Sequence, residues 1–91
     1  LSADLARWLV AQNICLVGVE TPSVASLNPQ HRAELTEVHQ ILLGAGIIIV
    51  EGLCNLDQLP EYVEFIALPL NLPNCDGSPV RAIARIYADD N

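Results

Sequence analysis

The stretch EVHQILLGAGIIIVEGL, residues Glu37–Leu53, decides the fold of this chain. Its first half places apolar residues at helical spacing, and Gly44 is a typical helix end. The apolar run that follows, Ile47 to Val50, predicts a short buried strand. Helix and strand should therefore pack side by side. Two ionisable side chains interrupt the apolar pattern, His39 on the helix and Glu51 at the end of the strand.

Helical spacing turns the ring of His39 toward the core side of its helix. That side also carries Leu35, Val38, Leu42 and Leu43. Strand alternation places Glu51 at the carboxyl end of its strand, where α/β sheets commonly carry ligand and catalytic groups. Because burying an ionisable group without a partner is unfavourable, the two side chains need either solvent, a hydrogen-bond partner or each other.

The residues alone leave two interpretations open. In the structural one, His39 is a hydrogen-bonded core histidine and Glu51 caps a helix or faces solvent. In the chemical one, the two meet at one end of the core, where imidazole and carboxylate suit zinc, manganese or proton transfer. Two side chains are fewer than the three protein ligands of a typical catalytic zinc site. A metal centre would therefore need further ligands from elsewhere.

The remaining segments predict an α/β domain with a mixed sheet. Helices alternate with strands in the first half of the chain, and strands dominate the second half. Apart from the central stretch, the predicted elements are a helix over residues 2–12, a strand over 14–19, a helix that starts at 29, a helical turn over 56–60, and strands over 63–70 and 80–87. Pro22 interrupts the apolar run before it and predicts a loop.

Composition and charge exclude several classes of protein. The 91 residues, 52% hydrophobic, suffice for one domain. With 11 acids, 4 arginines and no lysine, the net charge of −7 argues against a nucleic-acid partner. No apolar run approaches the roughly 18 residues of a membrane span. The three cysteines, without a C-x-x-C motif, predict buried free thiols in a reducing compartment, here the cytoplasm. The absence of Met and the start at Leu1 predict a part of a larger protein.

Three segments carry a family resemblance. They are GVETPSV (Gly18–Val24), His39 followed by VEGLCNLDQLP (Val50–Pro60), and FIALPLNLPNCDGSPVRAIAR (Phe65–Arg85). In this order they resemble the C-terminal half of the cyclase family of metal-dependent hydrolases, which includes bacterial kynurenine formamidase and isatin hydrolase. The resemblance implies a swivelling β/β/α fold, a divalent metal such as zinc or manganese, and hydrolysis of an amide-type bond in an aryl formamide or a cyclic amide.

The resemblance also implies roles for individual residues. The family's helix histidine and the glutamate twelve positions later, which contribute to its metal centre, match His39 and Glu51. Both are therefore expected to ligate metal and to act in catalysis. The matching positions expected to contact substrate are Thr21, Pro22, Ser23 and Ser78. One departure is Glu20, where the family usually has Asp, and we assign no role to it.

The family's main metal motif, H-x-x-x-H-x-D-x-P, has no counterpart in these 91 residues. We therefore expect residues 1–91 to be the C-terminal part of a single domain whose N-terminal half is a partner. Related enzymes imply a homo-oligomer, a dimer or larger. The hydrolase hypothesis competes with a catalytically silent scaffold of the same fold and with an isolated acidic binding module. An upstream histidine–aspartate motif would favour the hydrolase.

Overall fold

The computed structural model describes residues 1–87, which divide into two compact units. The first unit is Leu1–Cys54, and the second begins at Asn55. No helix within the described residues has both the length and the apolarity needed to cross a membrane.

The first unit is a β-α-β arrangement with one additional helix. Helix α1 spans Ala3–Ala11, strand β1 spans Leu16–Gly18, helix α2 spans Arg32–Gly44 and strand β2 spans Ile48–Val50. A 3-10 turn, Pro29–His31, leads into α2. Strands β1 and β2 pair in parallel. Parallel strands need a crossover connection, and here the segment that contains α2 forms it.

Local signals explain the helix boundaries. Ser2 caps α1, where its hydroxyl accepts the Leu5 N–H at 3.1 Å. The Asn28 side chain likewise accepts the Gln30 N–H at 3.0 Å before α2. Gly44 is the last residue of α2, and the left-handed turn needed to leave the helix falls at Gly46, with φ of +77°. The helix thus ends at Gly44, as predicted. The glycine that adopts the left-handed conformation is Gly46, two residues later.

The core of the first unit lies between the two helices and one face of the short sheet. Its buried members are Ala6, Val24, Ala25, Val38, Leu42 and Ile47. Val38 and Leu42 are fully buried, as predicted, but Leu43 is 57% exposed. The prediction for Leu43 was wrong because this residue is turned about 100° around the helix from Leu42, away from the core.

The prediction that Ile47 to Val50 form a buried strand holds only in part, because Ile47 and Val50 are buried and Ile48 is not. Ile47 belongs to the core and Ile49 packs against it, whereas Ile48 points to the opposite face and is 59% exposed. Val50, on the same face of β2 as Ile48, is 6% exposed, so that face is covered at one end of the strand and open at the other. A run of Ile and Val indicates that a strand is apolar, but it does not indicate which of the strand's two faces other elements cover.

The second unit is built around an antiparallel hairpin. A 3-10 turn, Leu56–Gln58, precedes strand β3, Val63–Pro69, which pairs with strand β4, Val80–Ile86. Parallel and antiparallel pairing thus both occur, which confirms the α/β class. In the described residues the two kinds of pairing lie in separate two-stranded sheets.

The cysteines are not buried. Cys15 precedes β1, Cys54 follows the turn after β2, and Cys75 lies in the loop between β3 and β4. All three are exposed, so the prediction of buried thiols was wrong. Each cysteine lies in a connection outside the strands and helices.

Candidate metal centre

Helix α2 fixes the orientation of the His39 ring. Its Nδ1 lies 2.8 Å from the carbonyl oxygen of Leu35, one helical turn earlier. A carbonyl oxygen only accepts hydrogen bonds, so Nδ1 carries the proton and donates it. In the neutral ring, the other nitrogen, Nε2, therefore presents its lone pair away from the helix.

Backbone hydrogen bonds hold Glu51 in place from both sides. Val50 O accepts the Val19 N–H at 2.9 Å, and the Gly52 N–H donates to Thr21 O at 2.8 Å. Gly52 has φ of +71°, a conformation that few residues other than glycine adopt readily. The carboxylate itself accepts the Val24 N–H on Oε2 at 2.8 Å. Glu51 is thus restrained in both its backbone and its side chain.

The structure brings His39 and Glu51 together. Nε2 of the ring lies 3.5 Å from Oε2 of the carboxylate, and the two side chains are 32% and 33% exposed. The predicted juxtaposition across the helix–turn–strand is therefore confirmed. The His39 ring also lines a groove of about 660 Å³ along α2.

The arrangement of donor atoms fits a shared cation. A neutral imidazole places a lone pair toward a carboxylate oxygen, and such a contact is favourable only with a positive charge, either a proton or a metal, between the two atoms. With zinc–ligand distances of about 2.0–2.2 Å, neighbouring tetrahedral ligands lie roughly 3.3–3.5 Å apart. The observed 3.5 Å between Nε2 and Oε2 agrees with this spacing. Oε2 has two lone pairs, one for the Val24 N–H and one for a cation.

The described residues bring together two candidate ligands, His39 and Glu51. Residues 1–87 contain no group of three or more His, Cys, Asp or Glu side chains that could hold a metal ion. A complete metal centre at His39 and Glu51 would therefore need ligands from outside these residues. His31, the second histidine, is exposed and lies 3.2 Å from the Ser26 hydroxyl through its Nδ1, which is a surface contact.

The loop with Thr21, Pro22 and Ser23 lies next to Glu51, since the Val24 N–H reaches the carboxylate. Thr21 and Pro22 are exposed, and Ser23 is buried. The Thr21 hydroxyl donates to the Ser23 carbonyl at 2.5 Å. A cavity of about 390 Å³ opens along this loop, so there is space for a small molecule beside it.

Ser78, the other predicted substrate contact, belongs to the second unit. Its hydroxyl accepts the Leu70 N–H at 2.9 Å and donates to the Pro79 carbonyl at 2.8 Å. Both partners lie in the connection between β3 and β4. The Ser78 hydroxyl therefore already donates its proton to a hydrogen bond within the hairpin.

Sequence reasoning missed the two backbone groups that orient the pair, the Leu35 carbonyl and the Val24 N–H. Every residue except proline offers the same carbonyl and N–H groups, so residue type does not reveal which of them will face a functional side chain. The i−4 spacing from His39 to Leu35 was the one signal available, since helix geometry brings that carbonyl near the ring.

Several known proteins are similar to this chain. The kynurenine formamidase of Bacillus mycoides is 44% identical over 85 residues, which cover 93% of this chain and 39% of that protein. The kynurenine formamidase of Polaromonas naphthalenivorans is 46% identical over 78 residues, covering 85% and 33% respectively. No family model matches the chain.

Solved structures agree with these relatives. A potential metal-dependent hydrolase with cyclase activity superposes with a TM-score of 0.74 at 32% identity, over 91% of this chain and 39% of the other. A predicted metal-dependent hydrolase from Bacillus stearothermophilus gives a TM-score of 0.73 at 32% identity, over 91% and 38%. The family resemblance predicted from the sequence is confirmed: this chain is homologous to a segment, about two fifths of the length, of the cyclase-type metal-dependent hydrolases.

Proposed function

We propose that this chain supplies part of the active site of a metal-dependent hydrolase that cleaves an amide-type bond, in an aryl formamide or a cyclic amide. The observation that carries the proposal is the facing pair of acceptor atoms, His39 Nε2 and Glu51 Oε2, at 3.5 Å. Similarity to kynurenine formamidases supports an aryl formamide as the first substrate to test. It also favours an enzyme over a catalytically silent scaffold.

In this proposal, His39 and Glu51 hold a divalent cation, zinc or manganese, since imidazole and carboxylate suit both metals. When bound, such a cation activates water near neutral pH and polarises the substrate carbonyl. The Leu35 carbonyl keeps the proton on Nδ1, so His39 presents Nε2 as a donor atom. Glu51 contributes a negative charge that offsets part of the charge on the cation. Protonation of Nε2 removes that donor atom, so metal binding should weaken in acid.

The remaining parts of the site are proposed to come from outside this chain. We propose that residues 1–91 form the C-terminal part of a single hydrolase domain and that its N-terminal half provides further metal ligands. Two observations support this: the chain spans 39% of the relatives' length, and the described residues offer only the pair. A cytoplasmic location, and assembly into a dimer or larger homo-oligomer, are parts of the same proposal.

The test removes each donor atom from the full-length protein. His39→Ala and Glu51→Gln should each lower the bound zinc or manganese, measured by elemental analysis, and reduce hydrolysis of N-formyl arylamines and cyclic amides by at least about 100-fold, because each change removes a ligand rather than its support. Matched controls are His31→Ala and Glu34→Gln, which change the same residue types away from the pair. Metal content and turnover that stay unchanged in both His39→Ala and Glu51→Gln would refute the proposal.

A further inference from the structure

The polar loop before the core residue Val24 contains a chain of hydrogen bonds that ends on Glu51. The Thr21 hydroxyl donates to the Ser23 carbonyl at 2.5 Å. The Val24 N–H donates to Glu51 Oε2 at 2.8 Å. The Ser23 carbonyl and the Val24 N–H are the two polar ends of one peptide unit, and they point in opposite directions because that unit is planar.

From this geometry we infer that Thr21, supported by Ser23, is a positioning residue for the metal-binding carboxylate. By binding the carbonyl end of the Ser23–Val24 peptide, the Thr21 hydroxyl aims the N–H end at Glu51. Hydrogen bonds in such a chain also polarise one another, so the Val24 N–H becomes a stronger donor to the carboxylate. The inference rests on the proposed function, since it assigns Thr21 an action through a metal ligand.

Burial keeps this peptide from turning away. The Val24 side chain is 2% exposed and that of Ala25 is 5% exposed, so the core anchors the chain directly after the peptide. Ser23 is 8% exposed, and its hydroxyl accepts the Ala25 N–H at 3.3 Å. Two side-chain hydroxyls and two buried apolar side chains therefore hold the orientation of one N–H group.

This role differs from the substrate contact that the family resemblance implies. A hydroxyl has one proton, and Thr21 already donates it to the Ser23 carbonyl. Ser23 lines the adjacent cavity but is only 8% exposed, and its hydroxyl already accepts the Ala25 N–H. A positioning role affects metal affinity, whereas a substrate contact affects KM.

The test measures metal affinity and KM separately in the full-length protein. Thr21→Val keeps the shape of the side chain and removes its hydroxyl. Changes to groups that orient metal ligands typically weaken metal affinity by about 10–100-fold. We expect Thr21→Val to raise the dissociation constant for Zn²⁺, measured by competition with a chelator, by about 10-fold or more. At saturating Zn²⁺, KM for an N-formyl arylamine should stay unchanged.

Two further variants test whether the Thr21 hydroxyl itself causes the change in Zn²⁺ affinity. Thr21→Ser retains it and should restore Zn²⁺ affinity to within about 3-fold of the wild type, well below the loss typical of outer-shell changes. Ser26→Ala removes a hydroxyl from the same loop whose hydrogen bonds go to Asn28 and His31 instead, and it should leave Zn²⁺ affinity unchanged. If Thr21→Val gives too little folded protein, Ser23→Ala carries the same expectation.

Unchanged Zn²⁺ affinity in Thr21→Val, or a raised KM without a loss of Zn²⁺ affinity, would overturn the inference. The Glu51→Gln variant, measured alongside, separates this failure from failure of the proposed function. Weaker Zn²⁺ binding in Glu51→Gln together with normal binding in Thr21→Val would reject only the positioning role. Normal binding in both variants would reject the metal site itself.

Discussion

The surroundings of Glu51 and the connection around Ser78 both match the family pattern, yet they use their polar groups differently. Glu51 contacts residues 12 and 27 positions away, His39 on α2 and the backbone of Val24. Ser78 contacts residues 1 and 8 positions away, within its own hairpin. Long-range polar contacts bring separate elements to one point, whereas short-range contacts close a turn. The first region therefore has the character of a site, and the second that of a structural connection.

The largest expected effect on stability comes from a substitution in the core that packs next to the His39–Glu51 pair. Leu42 is fully buried between the helices and the sheet, so Leu42→Ala leaves a cavity and should lower the free energy of unfolding by about 2–5 kcal/mol. Its neighbour Leu43 is 57% exposed, and Leu43→Ala should change stability by less than about 1 kcal/mol. Denaturant unfolding of the metal-free full-length protein measures both.

Equal losses of stability in the two leucine variants would show that a further part of the protein covers Leu43 as completely as the core covers Leu42. In that case the groove along α2, to which Leu43 contributes, is filled in the full-length protein, and the His39 ring is reached from another side.

Replacing one glycine by alanine in each region compares the two regions directly, and the effect on the free energy of unfolding should be intermediate. Gly52 follows Glu51 with φ of +71°, whereas Gly77, in the connection near Ser78, has no such conformation. Neither position lacks space for a methyl group, so the difference is one of backbone strain. Gly52→Ala should lower the free energy of unfolding by roughly 1–2 kcal/mol. Because relief of the strain moves Glu51, Zn²⁺ affinity should fall as well.

Gly77→Ala is the matched control, and it should leave both stability and Zn²⁺ affinity close to wild type. A Zn²⁺ affinity unaffected by Gly52→Ala would mean that the Val24 N–H alone is sufficient to orient the carboxylate. Thermal or denaturant unfolding combined with chelator competition distinguishes the two contributions.

Much of the fold and part of the site could be predicted from the sequence, because they depend on local signals. The Ser2 cap and the second helix follow from residue type and spacing, although Pro29–His31, predicted as the start of that helix, form a 3-10 turn and the α-helix begins at Arg32. The cap and the helix need no information about the rest of the molecule. The approach of His39 to Glu51 was one of two arrangements that the helix, turn and strand allowed, and the family resemblance selected it.

Other features depend on what lies next to a residue in space, which spacing does not contain. The exposure of Ile48 and of the three cysteines depends on which element covers them. The N–H that orients Glu51 belongs to Val24, 27 positions earlier in the chain. No property of the valine side chain distinguishes this residue from other apolar residues in the loop.

The smallest expected effect is in the second region. Ser78→Ala removes one accepted and one donated hydrogen bond in the β3–β4 connection. Because these groups are partly open to water, which can replace the lost partners, the free energy of unfolding should fall by only about 0.5–1.5 kcal/mol. Zn²⁺ affinity should remain within error of wild type, in contrast to Thr21→Val. A raised KM for an N-formyl arylamine, without a change in stability, would instead give Ser78 the substrate contact that the family resemblance implies. The same serine would then combine a local structural role with a functional one, and short-range hydrogen bonding would no longer distinguish the two regions.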